Sequence, residues 1–266
     1  MPVFRRRETR QLLEERMLYE LKDTSSAEMM FRGWNETMIQ SCLQGVMGRI
    51  LVTDPVCPVS AAAEISCFVF LAGRPNRELA LLRHAGFTIL VPRDEAWSAL
   101  IEEAQPEAKR VTRYAIRKDT VFDPDHLTKL VSAIPAGYEI RPIDSELYDL
   151  CLQSPVTADF VSSFESKESF LRLGRGMVIV KDGGIVSGAS SFSRYREGIE
   201  IEVDTVESER RRHLASAAAA ALILRCLDEG LYPSWDAMNM ASVRLAESLG
   251  YVFDREYTAY EITAGS

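Results

Sequence analysis

The chain has 266 residues, 47% of them hydrophobic and 26% charged, with a net charge of −8, values that indicate a folded globular protein and argue against binding of nucleic acid. Its five cysteines form no C-x-x-C pair and its three histidines are scattered, so we expect neither a metal site nor a disulfide framework. No apolar run is long enough to span a bilayer, and the arginines near the N-terminus are not followed by the apolar stretch of a secretory signal, so we expect a cytoplasmic protein without a membrane partner.

The first half of the sequence alternates predicted strands and helices. Apolar spacing and turn residues predict helices over Glu8–Lys22, from Pro75 to Leu82 or Arg83, and over Asp94–Ala104. They predict strands over Gly48–Asp54, Ser60–Gly73, Phe87–Val91 and Val111–Ile116. Residues 117–137 then form a connection that holds one short helix, Asp125–Ser132. We place a domain boundary near Pro135, which gives an N-terminal domain of residues 1–134 and a C-terminal domain of residues 135–266.

The second half repeats this alternation. Strands are predicted over Tyr138–Arg141, Met177–Lys181, Ile185–Tyr195, Ile199–Thr205 and Ser234–Met238, with two short strands ending at Ile262. Helices are predicted over Glu146–Leu152, Ser166–Leu173, Glu209–Glu229 and Met240–Leu249.

The segment 199–215, IEIEVDTVESERRRHLA, carries the clearest chemical signal. A strand runs through a short loop with three arginines, Arg210, Arg211 and Arg212, into the N-terminus of a long helix. Unpaired N–H groups at such an N-terminus bind pyrophosphate, and arginines add charge-assisted donors. Ala215 keeps the first turn slim, so a ligand can come close. These features indicate a diphosphate ligand.

A plainer interpretation stays open, in which the three arginines form an ordinary solvated start of the helix. The helix macrodipole disfavours cations at an N-terminus. A bound anion would resolve that conflict.

The order strand, loop, R-x-x-x-x-A and helix resembles the pyrophosphate motif R-x-x-G-x-G/A of the GNAT acyltransferases. Arg210 takes the arginine position, Ala215 the last position, and His213 stands where the family has glycine. The stretches GASSFSRY, EIEVDT, LYPSWDAMN and LAESLGY resemble more narrowly the family that includes the zwittermicin A resistance acetyltransferase. SCLQGVMGRI and FLAGRPNREL extend this resemblance over nearly the whole chain.

The resemblance implies a mixed α/β fold, with a GNAT-type central mixed sheet flanked by helices in the C-terminal domain. It implies that acetyl-CoA, as co-substrate and without a metal, lies between two splayed strands, Ile199–Thr205 and Ser234–Met238. The residues that would hold it are Asp204, Thr205, Val206, Arg210, Arg211, Arg212, His213, Leu214, Ala215, Asn239 and Ser242. Asn239 is equally interpreted as the N-cap of the next helix.

A general base must remove a proton from the acceptor amine. Strand alternation places Glu200, Glu202 and Asp204 on one face of Ile199–Thr205. We expect Glu202 or Glu200 to be the base, with Asp236 on the facing strand as a second choice. An ordinary half-exposed strand would look the same. Where many relatives carry a tyrosine acid for the thiolate, this chain has Ala246, which leaves Tyr232, Tyr251, Tyr257 or no acid at all.

The resemblance therefore predicts an N-acetyltransferase that acts on a primary amine of a small molecule. Two alternatives stay open: a catalytically weak CoA-binding regulatory protein, and a protein lysine acetyltransferase. We expect a monomer or a homodimer.

The two halves share their order of elements, so the N-terminal domain is predicted to be a degenerate GNAT copy that walls the acceptor pocket. An unrelated α/β domain with the same local order is the alternative. The loop Gly73–Arg77 lacks the arginine–glycine motif, and Pro75 lacks an N–H donor, so this copy should not bind CoA.

Overall fold

A computed structural model describes residues 18–263 of the chain. It contains two compact units: the first comprises the residues up to Thr112 together with those from Tyr257 onward, and the second comprises Arg113–Glu256. This division lies earlier in the chain than the predicted boundary near Pro135, and it assigns the end of the last strand to the first unit. Most of the helix predicted over Glu8–Lys22 lies outside the described residues, and Tyr19–Glu20 within it is a strand.

The first unit is built around an antiparallel sheet with one parallel pair. Its strands are β1 (Tyr19–Glu20), β2 (Arg49–Val52), β3 (Ser60–Ile65), β4 (Phe68–Gly73), β5 (Phe87–Pro92) and the end of β13 (Phe253–Thr263). Its helices are α1 (Glu28–Phe31), α2 (Thr37–Leu43), α3 (Arg77–Ala80) and α4 (Glu95–Ala104). The strands follow the order β1-β2-β3-β4-β5-β13, in which only β4 and β5 are parallel. The core centres on Trp97, whose indole N–H donates to the carbonyl of Gly73 at 3.0 Å.

Two predictions for this unit were wrong. The single strand predicted over Ser60–Gly73 is a hairpin, β3 and β4, with its turn at Ser66 and Cys67. Ser66 adopts a φ of 50°, a left-handed conformation for which the sequence offers no glycine or asparagine as a signal. The helix predicted from Pro75 begins two residues later, because the side chain of Asn76 caps it by accepting from the N–H groups of Glu78 and Leu79.

The second unit contains the long helix and the acidic strand. Its strands are the end of β6 (Lys109–Ile116), β7 (Glu139–Pro142), β8 (Gly176–Lys181), β9 (Gly184–Tyr195), β10 (Gly198–Thr205), β11 (Tyr232–Ser234) and β12 (Asp236–Ala237). Its helices are α5 (Pro124–Ser132), α6 (Ser145–Cys151), α7 (Pro155–Ser162), α8 (Lys167–Leu173), α9 (Leu214–Asp228) and α10 (Met240–Ser248). The strands β11-β10-β9-β8-β7 form one sheet, in which only β10 and β11 are parallel, and β12 pairs with β6.

The core of this unit lies between α9 and the sheet. The alanines over Ala217–Ala221 are buried against β9 and β10, beside Ile199 and Ile201. Because alanine side chains are short, the helix axis can approach the strands closely. Helix α7 was not predicted from the sequence. The segment predicted as the strand Ser234–Met238 is interrupted at Trp235, and the two strands predicted at the C-terminus form the single strand β13.

The two units share one topology. Strands β2, β3, β4 and β5 pair antiparallel, antiparallel and parallel, and so do β8, β9, β10 and β11. In each unit, the residue that follows the third of these strands donates an equivalent backbone hydrogen bond to the second strand or the residue just before it. The N–H of Arg74 donates to the carbonyl of Val59 at 2.8 Å, and that of Val206 donates to the carbonyl of Val186 at 2.9 Å. The first unit is therefore a structural repeat of the second.

No helix within residues 18–263 has both the length and the apolar character that crossing a bilayer would require.

Candidate acyl-CoA and acceptor site

Strands β10 and β11 pair only briefly and then separate. Their parallel pairing covers Gly198–Glu200 on β10 and ends where Glu200 meets Ser234. The chain then joins another strand, because Asp236 and Ala237 pair with Ala115 and Tyr114 of β6. This separation opens a gap between the end of β10 and β12, as the resemblance predicted.

One backbone N–H group on β10 that the sequence did not single out faces this gap. In an antiparallel ladder, alternate residues direct their N–H groups to opposite sides. Val206 donates to Val186 of β9, so it is not available to a ligand, and Asp204 points the same way. Val203 and Thr205 therefore face the gap. The N–H of Thr205 already donates to Oδ1 of Asp204 at 2.6 Å, which leaves Val203 as the backbone donor beside the gap.

The loop after β10 has the backbone of an anion-binding turn. A 3-10 turn over Glu207–Glu209 precedes two residues with left-handed backbones, Arg211 at φ 63° and His213 at φ 61°. Helix α9 starts at Leu214 and not at the predicted Glu209. The imidazole of the N-cap residue His213 makes no capping hydrogen bond. The first turn of α9 thus presents backbone N–H groups without a side-chain acceptor from its own cap.

The three predicted phosphate-binding arginines differ in their partners. Nε of Arg210 donates to the carbonyl of Thr205 at 3.3 Å, and its guanidinium lies 3.9 Å from Oδ1 of Asp204. Nε of Arg212 lies 3.1 Å from Oε2 of Glu209. Arg211 forms no ion pair with any residue in the described part of the chain. Its exposed guanidinium is the one of the three that is not already engaged by a carboxylate.

Glu209 organises a small polar cluster that sequence reasoning missed. Its carboxylate accepts from the hydroxyl of Tyr138 at 2.5 Å and from Nζ of Lys181 at 2.7 Å, in addition to its contact with Arg212. These bonds hold the pKa of Glu209 below its ordinary value and raise that of Lys181. The partners lie far apart in the sequence, at the ends of β7 and β8, so no local pattern indicates them.

Glu202 is the most perturbed carboxyl group on β10. It is half-buried, and burial together with the charges of Asp159 and Asp204 raises the pKa of its carboxyl to about 7, against a lowering effect from Arg113. Asp159, on α7, has a raised pKa for the same reasons, burial and the charge of Asp204. A carboxyl with a pKa near 7 can accept a proton at neutral pH and release it afterwards.

Glu200, the other base candidate, lies in a different environment. Its side chain is 3% exposed, and Oε2 lies 3.9 Å from Nζ of Lys118. Lys118 also donates to the carbonyl of Trp235 at 2.9 Å. The ammonium of Lys118 thus lies between Glu200, the last residue of β10 that pairs with β11, and Trp235, which follows the end of β11. Glu200 belongs to the closed end of the gap.

The second-choice base, Asp236, is held by an arginine. Nε of Arg113 donates to its Oδ1 at 2.9 Å, Nη2 contacts the same oxygen, and both side chains are almost fully buried. A carboxylate engaged in this way is a poor proton acceptor, because protonation would leave a buried guanidinium without its counter-charge. This geometry favours Glu202 over Asp236.

The predicted ligand contacts at α10 have structural partners. Oδ1 of Asn239 accepts from the N–H of Ser242 at 3.0 Å, so Asn239 is the N-cap of this helix. The hydroxyl of Ser242 accepts from the indole N–H of Trp235 at 3.1 Å. Asn239 itself is exposed, so its place at the start of the helix is compatible with a ligand contact as well.

Two of the tyrosines considered as general acids are engaged by the backbone. The hydroxyl of Tyr251 donates to the carbonyl of Pro233 at 2.6 Å, and burial raises its pKa well above the ordinary value. The hydroxyl of Tyr232 accepts from the N–H of Thr120 at 3.1 Å and donates to the carbonyl of Arg117 at 3.3 Å. Ala246 is buried within α10. Tyr257, the third candidate, lies in the first unit.

The chain is similar in sequence to a known acetyltransferase relative. The chain is 29% identical over 134 residues to the uncharacterized N-acetyltransferase YdfB of Bacillus subtilis (strain 168), which covers 48% of this chain and 49% of the relative. The chain thus spans about half the length of that curated relative.

Solved structures are similar over most of the chain. A GCN5-related N-acetyltransferase-like protein from Streptococcus suis 89/1591 is 47% identical, with a TM-score of 0.86 over 90% of this chain and 98% of its own. A tandem GNAT protein from the clavulanic acid biosynthesis pathway has a TM-score of 0.50 and 12% identity over 94% of this chain and 98% of its own, a likeness in fold alone. The GNAT acetyltransferase family matches residues 28–260. The chain therefore belongs to the GNAT acetyltransferase family.

Proposed function

We propose that the second unit transfers the acetyl group of acetyl-CoA to a primary amine of a small molecule, with Glu202 as the general base. The observation that carries this proposal is a half-buried carboxyl with a pKa of about 7 on a strand that borders an open gap. The next helix along the chain, α9, begins at Leu214 without a side-chain cap.

The residues around the gap fit acetyl-CoA. The left-handed backbone at Arg211 and His213 turns the chain so that first-turn N–H groups and the exposed guanidinium of Arg211 can meet a pyrophosphate. The Val203 N–H faces the gap, where a thioester carbonyl would accept from it. Acetyl-CoA, when bound, supplies the activated acyl group.

The acidic face of β10 suits an amine acceptor. An amine arrives at neutral pH mainly as an ammonium ion, which the carboxylates of Asp159 and Asp204 attract. Glu202 accepts one proton from this ammonium, which leaves a free amine to attack the thioester carbonyl. The nitrogen loses a second proton as the new C–N bond forms and the C–S bond breaks, and that proton goes to the departing thiolate. The departing thiolate needs no dedicated acid, because an ordinary thiol has a pKa near 8.5. The engaged hydroxyls of Tyr232 and Tyr251 are consistent with this.

Turnover and binding can be tested separately. Calorimetry should show acetyl-CoA binding to the full chain, and a panel of small mono- and polyamines should give release of free CoA thiol. Glu202→Gln should lower turnover by about a hundredfold or more while acetyl-CoA affinity stays unchanged.

The alternatives give other results. A regulatory protein that binds CoA would show the calorimetric signal but no single-turnover acetylation with any amine. A protein lysine acetyltransferase would acetylate lysine peptides in preference to the small amines. A thermal melt that millimolar acetyl-CoA leaves unchanged would contradict the proposal altogether, because a bound ligand at about a hundred times its Kd adds about 2.7 kcal/mol.

A further inference from the structure

A buried charged pair lies on the opposite side of the gap from β10, the strand of Glu202. Glu200 and Ser234 are the last paired residues of β10 and β11, so Glu202 and Asp236 each lie two residues beyond the point of separation. Asp236 pairs with Ala115 of β6, and Arg113 lies two residues before Ala115. Because side chains alternate along a strand, Arg113 and Asp236 share one face of that strand pair.

The ion pair is well formed but costly. Arg113 and Asp236 contact one another through two guanidinium nitrogens, and their side chains are 10% and 3% exposed. Burying two charges costs several kcal/mol of hydration per ion, so apolar residues of similar size would hold two strands together as well or better. The use of charges at this place therefore calls for a role that apolar side chains could not supply.

Three charged groups act on Glu202, each from a different strand or helix. Asp159 acts from α7, Asp204 from β10 itself, and Arg113 from β6, with Asp236 on β12 as its counter-charge. Of these groups only Arg113 is positive. The two other acids and burial make an ionised Glu202 unfavourable, and Arg113 opposes them.

We propose that Arg113 is a positioning residue whose guanidinium, held in place by Asp236, keeps Glu202 able to accept a proton at neutral pH. Asp236 fixes the guanidinium and offsets part of its charge. Without the arginine, Glu202 would remain protonated at neutral pH and could not serve as a base. Without Asp236, Glu202 would ionise more readily and become a weaker base. This inference rests on the proposed function of Glu202.

The titration of Glu202 can be measured without turnover. Carboxyl carbon NMR of protein labelled at glutamate gives the midpoint of each Glu, and the signal lost in Glu202→Gln identifies this one. We expect Arg113→Gln to raise the midpoint by about one pH unit or more. Arg113→Lys, which keeps the charge, should stay nearer to the wild-type value than Arg113→Gln does.

The counter-charge supplies the opposite test. Asp236→Asn should lower the midpoint, and adding Arg113→Gln in that background should raise it again. The double variant carries no net change of charge, so it should titrate close to the wild type. A purely structural pair predicts a loss of stability in all these variants with no ordered movement of the midpoint. A midpoint that stays the same in Arg113→Gln, or in the double variant relative to Asp236→Asn, would overturn the inference.

Activity then separates this inference from the proposed function. If the protein turns over amines, the ascending limb of kcat/KM against pH should shift with the NMR midpoint in each variant. If no amine is acetylated but the midpoints move as expected, the electrostatic role of Arg113 stands and the assignment of Glu202 as base fails. If Arg113→Gln does not fold, the pair Asp236→Asn and Arg113→Lys decides: a lower midpoint in the first and a near-wild-type midpoint in the second support the inference, and any other result contradicts it.

Discussion

His213 occupies a backbone conformation that suits glycine. Its φ of 61° and ψ of 15° lie in the left-handed region, where a Cβ costs about 1–2 kcal/mol. The related family motif places glycine at this position, and the structure gives the reason. The imidazole makes no capping hydrogen bond in return. His213 therefore keeps the left-handed backbone that the motif's glycine would have, at the cost of conformational strain.

We therefore expect His213→Gly to raise the free energy of unfolding by about 1 kcal/mol, since glycine removes the strain at some cost in chain entropy. Acetyl-CoA affinity should change by less than about tenfold. Urea denaturation and calorimetry measure the two quantities. His213→Ala is the matched control, because it keeps the Cβ and should not gain stability. A loss of acetyl-CoA binding in both variants would show that the imidazole contacts the ligand.

We expect the ionised carboxylate of Glu202 to lower the stability of the folded protein. Its folded-state pKa of about 7 lies above the ordinary value of 4.5, so the folded protein binds this proton more tightly than the unfolded chain does. Stability from this group is therefore present below about pH 4.5 and falls as pH rises towards 7. We expect Glu202→Gln to stabilise the protein by about 1–3 kcal/mol at pH 8 and by little at pH 4.

Chemical denaturation across this pH range tests the expectation. Glu200→Gln is the control, and it should lower stability at pH 8, because it removes the carboxylate that lies beside the buried ammonium of Lys118. The ascending limb of kcat/KM should have its midpoint near pH 7 in the wild type, where Glu202 ionises. Equal stability of the two glutamine variants at every pH would argue against the perturbed environment of Glu202.

At the scale of elements, the two strand-to-helix loops have the same topology but different chemistry. In the second unit, α9 begins without a side-chain cap next to an exposed Arg211. In the first unit, Asn76 accepts from the first-turn N–H groups of α3, which spans only Arg77–Ala80. A helix N-terminus that is already capped has fewer donors for an anion. Only the loop of the second unit, before α9, is therefore expected to bind phosphate.

Charge reversal at matched positions tests this difference. Arg211→Glu should weaken acetyl-CoA binding at least tenfold, because it replaces a free cation with an anion beside the phosphates. Arg74→Glu alters an exposed arginine in the equivalent loop of the first unit and should leave the affinity unchanged. Calorimetry at two salt concentrations measures both, and the Arg211 effect should shrink at high salt. An equal loss of affinity in both variants would contradict the assignment.

Local patterns in the sequence were sufficient for some of these elements and not for others. Asp204 raises the pKa of Glu202, as expected for acids at alternate positions of one strand, and Asn239 is the N-cap that its position indicated. The partners of the acids could not be predicted. Arg113 and Asp236 are 123 residues apart, and no periodicity connects them. The turn at Ser66 was missed because a serine there adopts a conformation that usually marks glycine.

At the scale of the whole molecule, the repeat explains why one copy of the fold would bind acetyl-CoA and the other would not. Counting back from the equivalent residues Arg74 and Val206, the positions of Glu200, Glu202 and Asp204 correspond to Phe68, Phe70 and Ala72. The positions of the acidic face are thus apolar in the first unit, and two of the three are aromatic. The ring of Phe70 contacts those of Phe68 and Trp34, each with centroids 5.7 Å apart.

The strands of the first unit also lack the gap. Strand β4 pairs with β5 from Phe68 to Leu71, and the N–H of Arg93 extends the ladder to the carbonyl of Leu71 at 3.0 Å. The equivalent stretch of β10 begins at Glu200, where pairing with β11 ends. Backbone groups that border the gap in one unit are therefore hydrogen-bonded within the sheet in the other. The first unit shares the strand pairing of the second but lacks its gap and the acids beside it.

We therefore expect one molecule of acetyl-CoA to bind per chain. Calorimetric titration of the full protein should give a stoichiometry near one, and Arg211→Glu should weaken that single event without revealing another. A site in the first unit would require β4 and β5 to separate, at the cost of their ladder and of the Phe70 packing. Arg74→Glu, which touches only the first unit, should leave stoichiometry and affinity as in the wild type. A stoichiometry near two, with one event sensitive to Arg74→Glu, would show that the first unit binds the co-substrate after all.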